Sequence, residues 1–321
     1  MIRRVPLWLT MVPLVVAVGL YGLLWSGWAQ EFRETIATWL PAAQIEISGF
    51  PYRLEADVPN PALAGGTTVK LSATASRVRI NRGPWQPELT VVAAENPAFR
   101  AIVGPLLSAG ITGKSALTSI HVVAGRLLRF SSVVEAARLR FGMTAMPIAA
   151  DSLELHLRET APGLAAPTSA TPPVRGQLIV NGQRLRLGNG DALTLAAEIA
   201  VTGAARLTNY DGWAGTGTAE IVRLTLADAS GEIASASATL VPQGRIGLRY
   251  AGTVETVCPL AVAAVFAGGA APPEKRLRLP LRLAFEGSAG TVKLSGIPDN
   301  LAARPTRAQL PACPVMRGQR G

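Results

Sequence analysis

Beyond residue 40, hydrophobic side chains recur at every second position over long stretches. Val69, Leu71, Ala73 and Ala75 alternate with Lys70, Ser72, Thr74 and Ser76, and Leu153, Leu155 and Leu157 alternate with Glu154, His156 and Arg158. Leu277, Leu279, Leu281, Leu283 and Phe285 are opposed by Arg276, Arg278, Arg282 and Glu286. A period of two gives each strand one apolar and one wet face, the antiparallel pattern. Asn181-Gly182, between "GQLIV" and "QRLRL", predicts a two-residue hairpin. Asp228-Ala229-Ser230-Gly231 and Pro242-Gln243-Gly244 predict further turns. Helical spacing is confined to two places. Phe32, Ile36, Trp39 and Leu40 predict a juxtamembrane helix over Glu31 to Leu40 that ends at Pro41, and "LAVAAVFA" (Leu260 to Ala267) predicts a short helix packed on the sheet.

The N-terminus breaks this pattern. From Val5 to Gln30 there is no charge. Leu7 to Trp28 is long enough to cross a hydrocarbon layer of ~30 Å. Arg3 and Arg4 precede it, which keeps the start in the cytoplasm and exports the body, and Trp25 and Trp28 fall at interfacial depth. A cleaved signal peptide ending at Gly27-Trp28-Ala29 competes with this reading, but the apolar stretch is longer than a signal requires. The expected fold is mainly β (α+β): a membrane-anchor helix, a juxtamembrane helix, then an extended antiparallel sheet or sandwich with few short helices. Residues 1–29 form the signal-anchor, 30–159 a first β-rich half, and 160–173 a linker or long loop. Residues 174–298 form a second β-rich half and 299–321 an irregular basic tail.

Among 321 residues, 49% are hydrophobic and 16% charged, so the chain can bury a sizeable core. The net charge of +10 comes almost wholly from arginine, the lysines being Lys70, Lys114, Lys275 and Lys293. Export leaves anionic headgroups rather than nucleic acid as the natural partner of that charge. Arg276, Arg278 and Arg282 form a basic stripe if they share a strand; with Pro280 among them it reads as an edge strand or a membrane-facing stripe. Cys258 and Cys313 are an even pair in an oxidising compartment. A disulfide is permitted there, worth about 4 kcal/mol if formed, while free thiols remain the alternative.

Catalytic chemistry finds little support. Gly113-Lys114-Ser115 lacks the upstream glycine of a phosphate loop, whose place is taken by Ser108. His121 and His156 lie within alternating strands, and neither HExxH, CxxC nor Gly-x-Ser-x-Gly occurs. Asp151 with Glu154, and Asp57 with Glu55, read as strand ends and wet faces as readily as paired acids. No cofactor, metal or catalytic set is expected.

"IEISGFPYRLEADV" (residues 45–58) changes parity. Ile45 and Ile47 are odd, whereas Phe50, Tyr52, Leu54, Ala56 and Val58 are even. A strand cannot change face without an extra residue, so Ser48-Gly49 is expected to be a bulge or tight turn. On that reading Phe50 and Tyr52 point inward with Leu54, Arg53 points out, and Pro51 marks an edge or an unpaired position. Gly49, Phe50, Pro51, Tyr52 and Arg53 are then a structural motif.

The anchor, the helix with Trp39 and "ISGFPYRLEADV" resemble the start of the domain of unknown function 2125 family, exported proteins found mainly in alphaproteobacteria. "INRGPWQPELTVVAAENP" (80–97) is similar to its Pro-Trp stretch, "GEIASASATLVPQGRIGLRYAGTVETV" (231–257) to its Gly-punctuated strand pair, and "LRLPLRLAFEGSAGTVKLSGIP" to its closing hairpin. The strand grammar is similar to AsmA-like envelope proteins, which are tied to outer-membrane assembly and lipid transport. Together these features predict a non-enzymatic inner-membrane protein with a periplasmic body that binds lipid or another hydrophobic envelope component. A scaffold for envelope assembly, with protein partners on the sheet, is the alternative, and a hydrolase the third reading.

Overall fold

The structure, a computed structural model, describes residues 7–41, 44–66, 69–103, 107–141, 147–160, 174–203, 217–243, 247–267, 271–288, 291–298 and 310–316. All but Thr160 of the predicted linker at 160–173, and all but 310–316 of the tail, lie outside this set. One helix, α1 (Leu7–Trp39), runs through both the predicted anchor and the juxtamembrane helix. Between Trp28 and Glu31 no proline or turn residue interrupts helical hydrogen bonding, so the two segments merge. Leu40 N–H still donates to Ile36 at 2.9 Å before Pro41 ends the run.

Among the described residues, eighteen antiparallel strands then form one sheet. They are β1 (Glu46–Ser48), β2 (Leu54–Pro59), β3 (Ala62–Gly65), β4 (Val69–Thr74), β5 (Arg77–Gly83), β6 (Gln86–Glu95), β7 (Ala98–Val103), β8 (Leu107–Thr112) and β9 (Ser115–Val123). Next come β10 (Arg126–Phe141), β11 (Ile148–Glu159), β12 (Val174–Leu187), β13 (Leu193–Thr202), β14 (Thr218–Asp228), β15 (Gly231–Gln243) and β16 (Gly247–Thr256). Helix α2 (Pro259–Ala267), close to the segment predicted for it, precedes β17 (Leu281–Ser288) and β18 (Thr291–Ser295).

From β9 onward each strand pairs with the next, and β1-β2-β5-β6-β9 extends the sheet toward α1. Pairing of β11 with β12 carries it across the chain's midpoint. The early strands bend together. β2 and β3, β4 and β5, β6 and β7, and β8 and β9 are each one long strand broken at Asn60-Pro61, Ala75-Ser76, Asn96-Pro97 and Gly113-Lys114. Backbone bonds such as Asn60 N–H to Ser76 (2.9 Å) and Lys114 N–H to Glu135 (2.9 Å) cross the break, so the sheet folds along a line without losing its ladder. Gly113 is required by close approach there: a Cβ would lie 2.4 Å from Val134 Cγ1.

Strand register places the inner-face residues in rows running across the sheet. The row Val58, Val78, Ala94, Ala116, Val134, Leu153, Gly182, Leu195 is one. Over it sits the main core, where Cys258, Ala261 and Val262 of the α2 region and Met316 of the tail pack on Val134, Leu153, Leu193, Ile233, Val254 and Leu283. Cys258 and Cys313 are disulfide-bonded, which fastens the tail over the sheet. A second core forms where Ala29, Phe32 and Ile36 of α1 cover Leu54 and Ala56.

Two expectations are corrected. Asn181-Gly182 is no hairpin: β12 runs through it, pairing Gly182 with both Leu153 and Leu195, and a register shift follows before Leu185. Partners on both sides hold the strand straight, and the shift turns Leu185 into the core. Residues 277–280 are not strand; β17 begins at Leu281. Of the bulge and the tight turn expected at Ser48-Gly49, the chain makes the turn: a hairpin sets Ile47 opposite Ala56 and Ser48 opposite Glu55. The turn at 228–231 separates β14 from β15 as expected, whereas Pro242 and Gln243 end β15, opposite Leu248 and Gly247, and Gly244 lies outside the described residues.

Candidate functional site

The tip of the β1–β2 hairpin is Gly49–Arg53, closed by Arg53 N–H to Gly49 at 3.0 Å. Gly49 has φ +96°, and a Cβ there would strike Arg53 O at 2.7 Å. Because the chain reverses here, Phe50 and Tyr52 do not point inward with Leu54: they are 51% and 80% exposed. The tip leans on α1. Tyr21 Oη donates to the Pro51 carbonyl, and Trp25 Nε1 donates to the Arg53 carbonyl at 3.4 Å. Phe50 lies 5.9 Å from Tyr21 and 5.4 Å from Trp25, ring centre to ring centre. Trp85, in the β5–β6 turn and 61% exposed, adds contacts to Tyr21 (5.8 Å) and Trp28 (6.0 Å). Two loops therefore grip the helix between Tyr21 and Trp28, leaving aromatic faces outward. Arg53 does point out, paired with Glu55 at 2.9 Å.

A further inner-face row starts at Leu54, beside this clasp. Register continues it through Arg82, Thr90, Ile120, Phe130, Leu157, Leu178, Ile199 and Ile221. Leu54 is sealed by α1, and the Arg82 guanidinium lies 5.9 Å from the Phe32 ring. The six apolar residues from Ile120 to Ile221 are only part-buried, and neither packed core includes them. Among the described residues, no helix or second sheet covers them.

On the opposite face, beyond the fold line, a cavity of about 1010 Å³ is lined by Ser72, Thr74, Arg100, Ser108, Thr112, Arg138 and Arg140, with Ala98 and Gly110 on its floor. Among the described residues, no Asp or Glu lines it.

Residues 39–298 match the model of a family described as an uncharacterized protein conserved in bacteria, DUF2125. The chain belongs to this family. No curated protein and no solved structure matches it.

Elsewhere on this DUF2125 protein the predicted residues scatter. Arg276, 7% exposed, gives both Asp228 oxygens a 2.5 Å bond, Arg278 is in a loop, and Arg282 is on β17, so the basic stripe does not exist. Its basis, unbroken alternation from 276 to 286, failed because the Asp228 carboxylate draws Arg276 inward. Gly113-Lys114-Ser115 lies in the fold line between β8 and β9. His121 and His156 are on separate strands. His156 Nδ1 sits 3.0 Å from Ser131 Oγ and its Nε2 3.7 Å from Glu154, while Arg129 Nε donates to the same hydroxyl at 3.2 Å. This line of serine, imidazole and carboxylate lies on a flat sheet face. Ser131 is laddered to both Ser119 and His156, which commits the neighbouring amides to the sheet instead of an oxyanion. Among the described residues no three His, Cys, Asp or Glu group together for a metal. Asp57 is held below its ordinary pKa by the Arg77 hydrogen bond. Burial pushes Glu274 up, opposed by the Leu260 and Ala261 amides that it accepts at the start of α2.

Proposed function

We propose that this DUF2125 protein is a single-pass inner-membrane protein with a periplasmic body, non-enzymatic, that receives lipid acyl chains along the Ile120-to-Ile221 row. The observation that carries this reading is the continuity of that uncovered row with the clasp on α1. Helix α1 is apolar enough to span a membrane, with mean hydropathy 1.6. Tyr21 to Trp28 is about 10 Å of helix at 1.5 Å per residue. A span of ~20 residues reaching Trp28 therefore sets Phe50, Tyr52 and Trp85 in the interfacial layer, where amphipathic aromatics are stable. The row then opens beside the outer leaflet, and a chain that passes Arg82 and Thr90 meets apolar surface from Ile120 to Ile221. Part-exposed apolar side chains in such a row gain about 25 cal/mol for each Å² that an acyl chain covers.

The full chain in nanodiscs containing a phospholipid with a photoactivatable acyl chain tests this. Adducts are expected on β11, β12 and β13, and Leu178→Glu should abolish them. Adducts confined to α1 and the hairpin tip would overturn the reading. So would in-cell crosslinks from Leu178 that go only to another protein, the outcome a scaffold requires.

A further inference from the structure

The cavity beyond the fold line is independent of the acyl row, for it lies on the other face of the sheet. There Ile111 and Leu139 pack toward the main core, which sends Thr112, Arg138 and Arg140 outward by strand alternation. Register sets out the floor. Arg140 faces Gly110, which faces Arg100, which faces Ser72; beside them Arg138 faces Thr112, then Ala98, then Thr74. Arg100 and Arg140 are thus two strands apart, about 9.6 Å, with no side chain between them. Arg138 is one step along the same face.

Outward faces elsewhere on this sheet mix their charges. Arg77 pairs with Asp57, Arg79 with Glu55, Arg223 with Glu232, and Arg158, Gln177 and Glu198 form a ladder. Arg100, Arg138 and Arg140 have no ion-pair partner among the described residues, although like charges clustered on one face repel. Among the described residues, four hydroxyls and no carboxylate complete the lining. Guanidinium forks and hydroxyls with no competing acceptor are the donor set for a tetrahedral oxyanion, and concave walls concentrate their field. The volume far exceeds one phosphate and is that of a whole ligand site.

We propose that Arg100, Arg138 and Arg140 bind the phosphate group of a phosphate ester, with Gly110 leaving the space it occupies. Lipid headgroups and soluble phosphate esters share this chemistry.

Two probes separate them, titrated calorimetrically at fixed salt into the full chain in neutral-lipid nanodiscs: inorganic pyrophosphate and dihexanoyl phosphatidylglycerol. The triple variant Arg100→Gln/Arg138→Gln/Arg140→Gln should lose at least tenfold in affinity for one or both. Loss for pyrophosphate assigns a soluble ester, and loss for the lipid alone assigns a headgroup. Arg249→Gln/Arg278→Gln/Arg282→Gln removes equal charge and should change affinity by less than twofold. Gly110→Leu keeps every charge and fills the space. Its Cβ meets only Phe99 O, at 3.6 Å, so the strand accepts it, and it too should lose tenfold. Equal losses in the two triple variants, or unchanged binding in the cavity triple or in Gly110→Leu, would overturn the proposal.

Discussion

Leu153 and Leu157 stand on the same strand and the same face, two pleat repeats apart, and should respond very differently to truncation. Leu153 is 2% exposed and lies in the main core beneath α2. Leu153→Ala loses the transfer energy of the buried atoms and leaves a sealed cavity, which costs about 3 kcal/mol. Leu157 is part-buried and belongs to neither core. Leu157→Ala loses only part of that transfer energy and seals no cavity, so it should cost about 1 kcal/mol. Urea unfolding of the full chain in a mild detergent, followed by far-UV circular dichroism, measures both, with equal slopes required for the comparison. Added phospholipid should widen the deficit of Leu157→Ala, because a ligand stabilises the fold in proportion to its affinity. Losses within about 0.5 kcal/mol of each other would mean that the row is a closed core. The acyl-chain reading would then fail.

Other consequences follow from particular contacts. Cys313→Ser opens a loop of 55 residues and should lower stability by about 4 kcal/mol, with reductant acting equally on wild type and not at all on the variant in thermal melts. Glu274 has its folded pKa raised by burial, so its contribution is complete below the unfolded value and is lost as pH rises through the folded one. Glu274→Gln should therefore raise the melting temperature relative to wild type more at pH 7 than at pH 4; the opposite trend would show that the α2 amides outweigh burial. Ser131 should resist a fluorophosphonate probe, since its hydroxyl accepts from Arg129 and its neighbourhood lacks an oxyanion site. Labelling that vanishes in Ser131→Ala would restore a hydrolase.

Local rules served well where one face alone decided the outcome. Leu153, Leu155 and Leu157 face inward as their alternation requires, Asp228 to Gly231 turns, and Leu260 to Ala267 is helical. They misled where a residue had partners on both sides. Asn181-Gly182 has strong turn chemistry, yet β11 and β13 hold it extended. Arg276 alternates with leucines, yet its guanidinium is buried against Asp228, 48 positions away. The fold line had a signal, the Asn-Pro pairs at 60–61 and 96–97, whose positive-φ asparagines precede residues that cannot donate to a ladder.

By itself, the chain's one-dimensional pattern determined the apolar N-terminal helix, the antiparallel β class and the family, because periodicity, charge and run length are local properties. Only the tertiary structure decided what faces what. The parity change at Gly49 is compatible with a bulge or a reversal. Pairing of Ile47 with Ala56 chose reversal, and so turned Phe50 and Tyr52 from core residues into a clasp on α1. Likewise alternation could not say which part of the apolar face is covered, nor that Arg100, Arg138 and Arg140 meet across three strands. Both depend on register and curvature, which are set by contacts between residues distant in sequence.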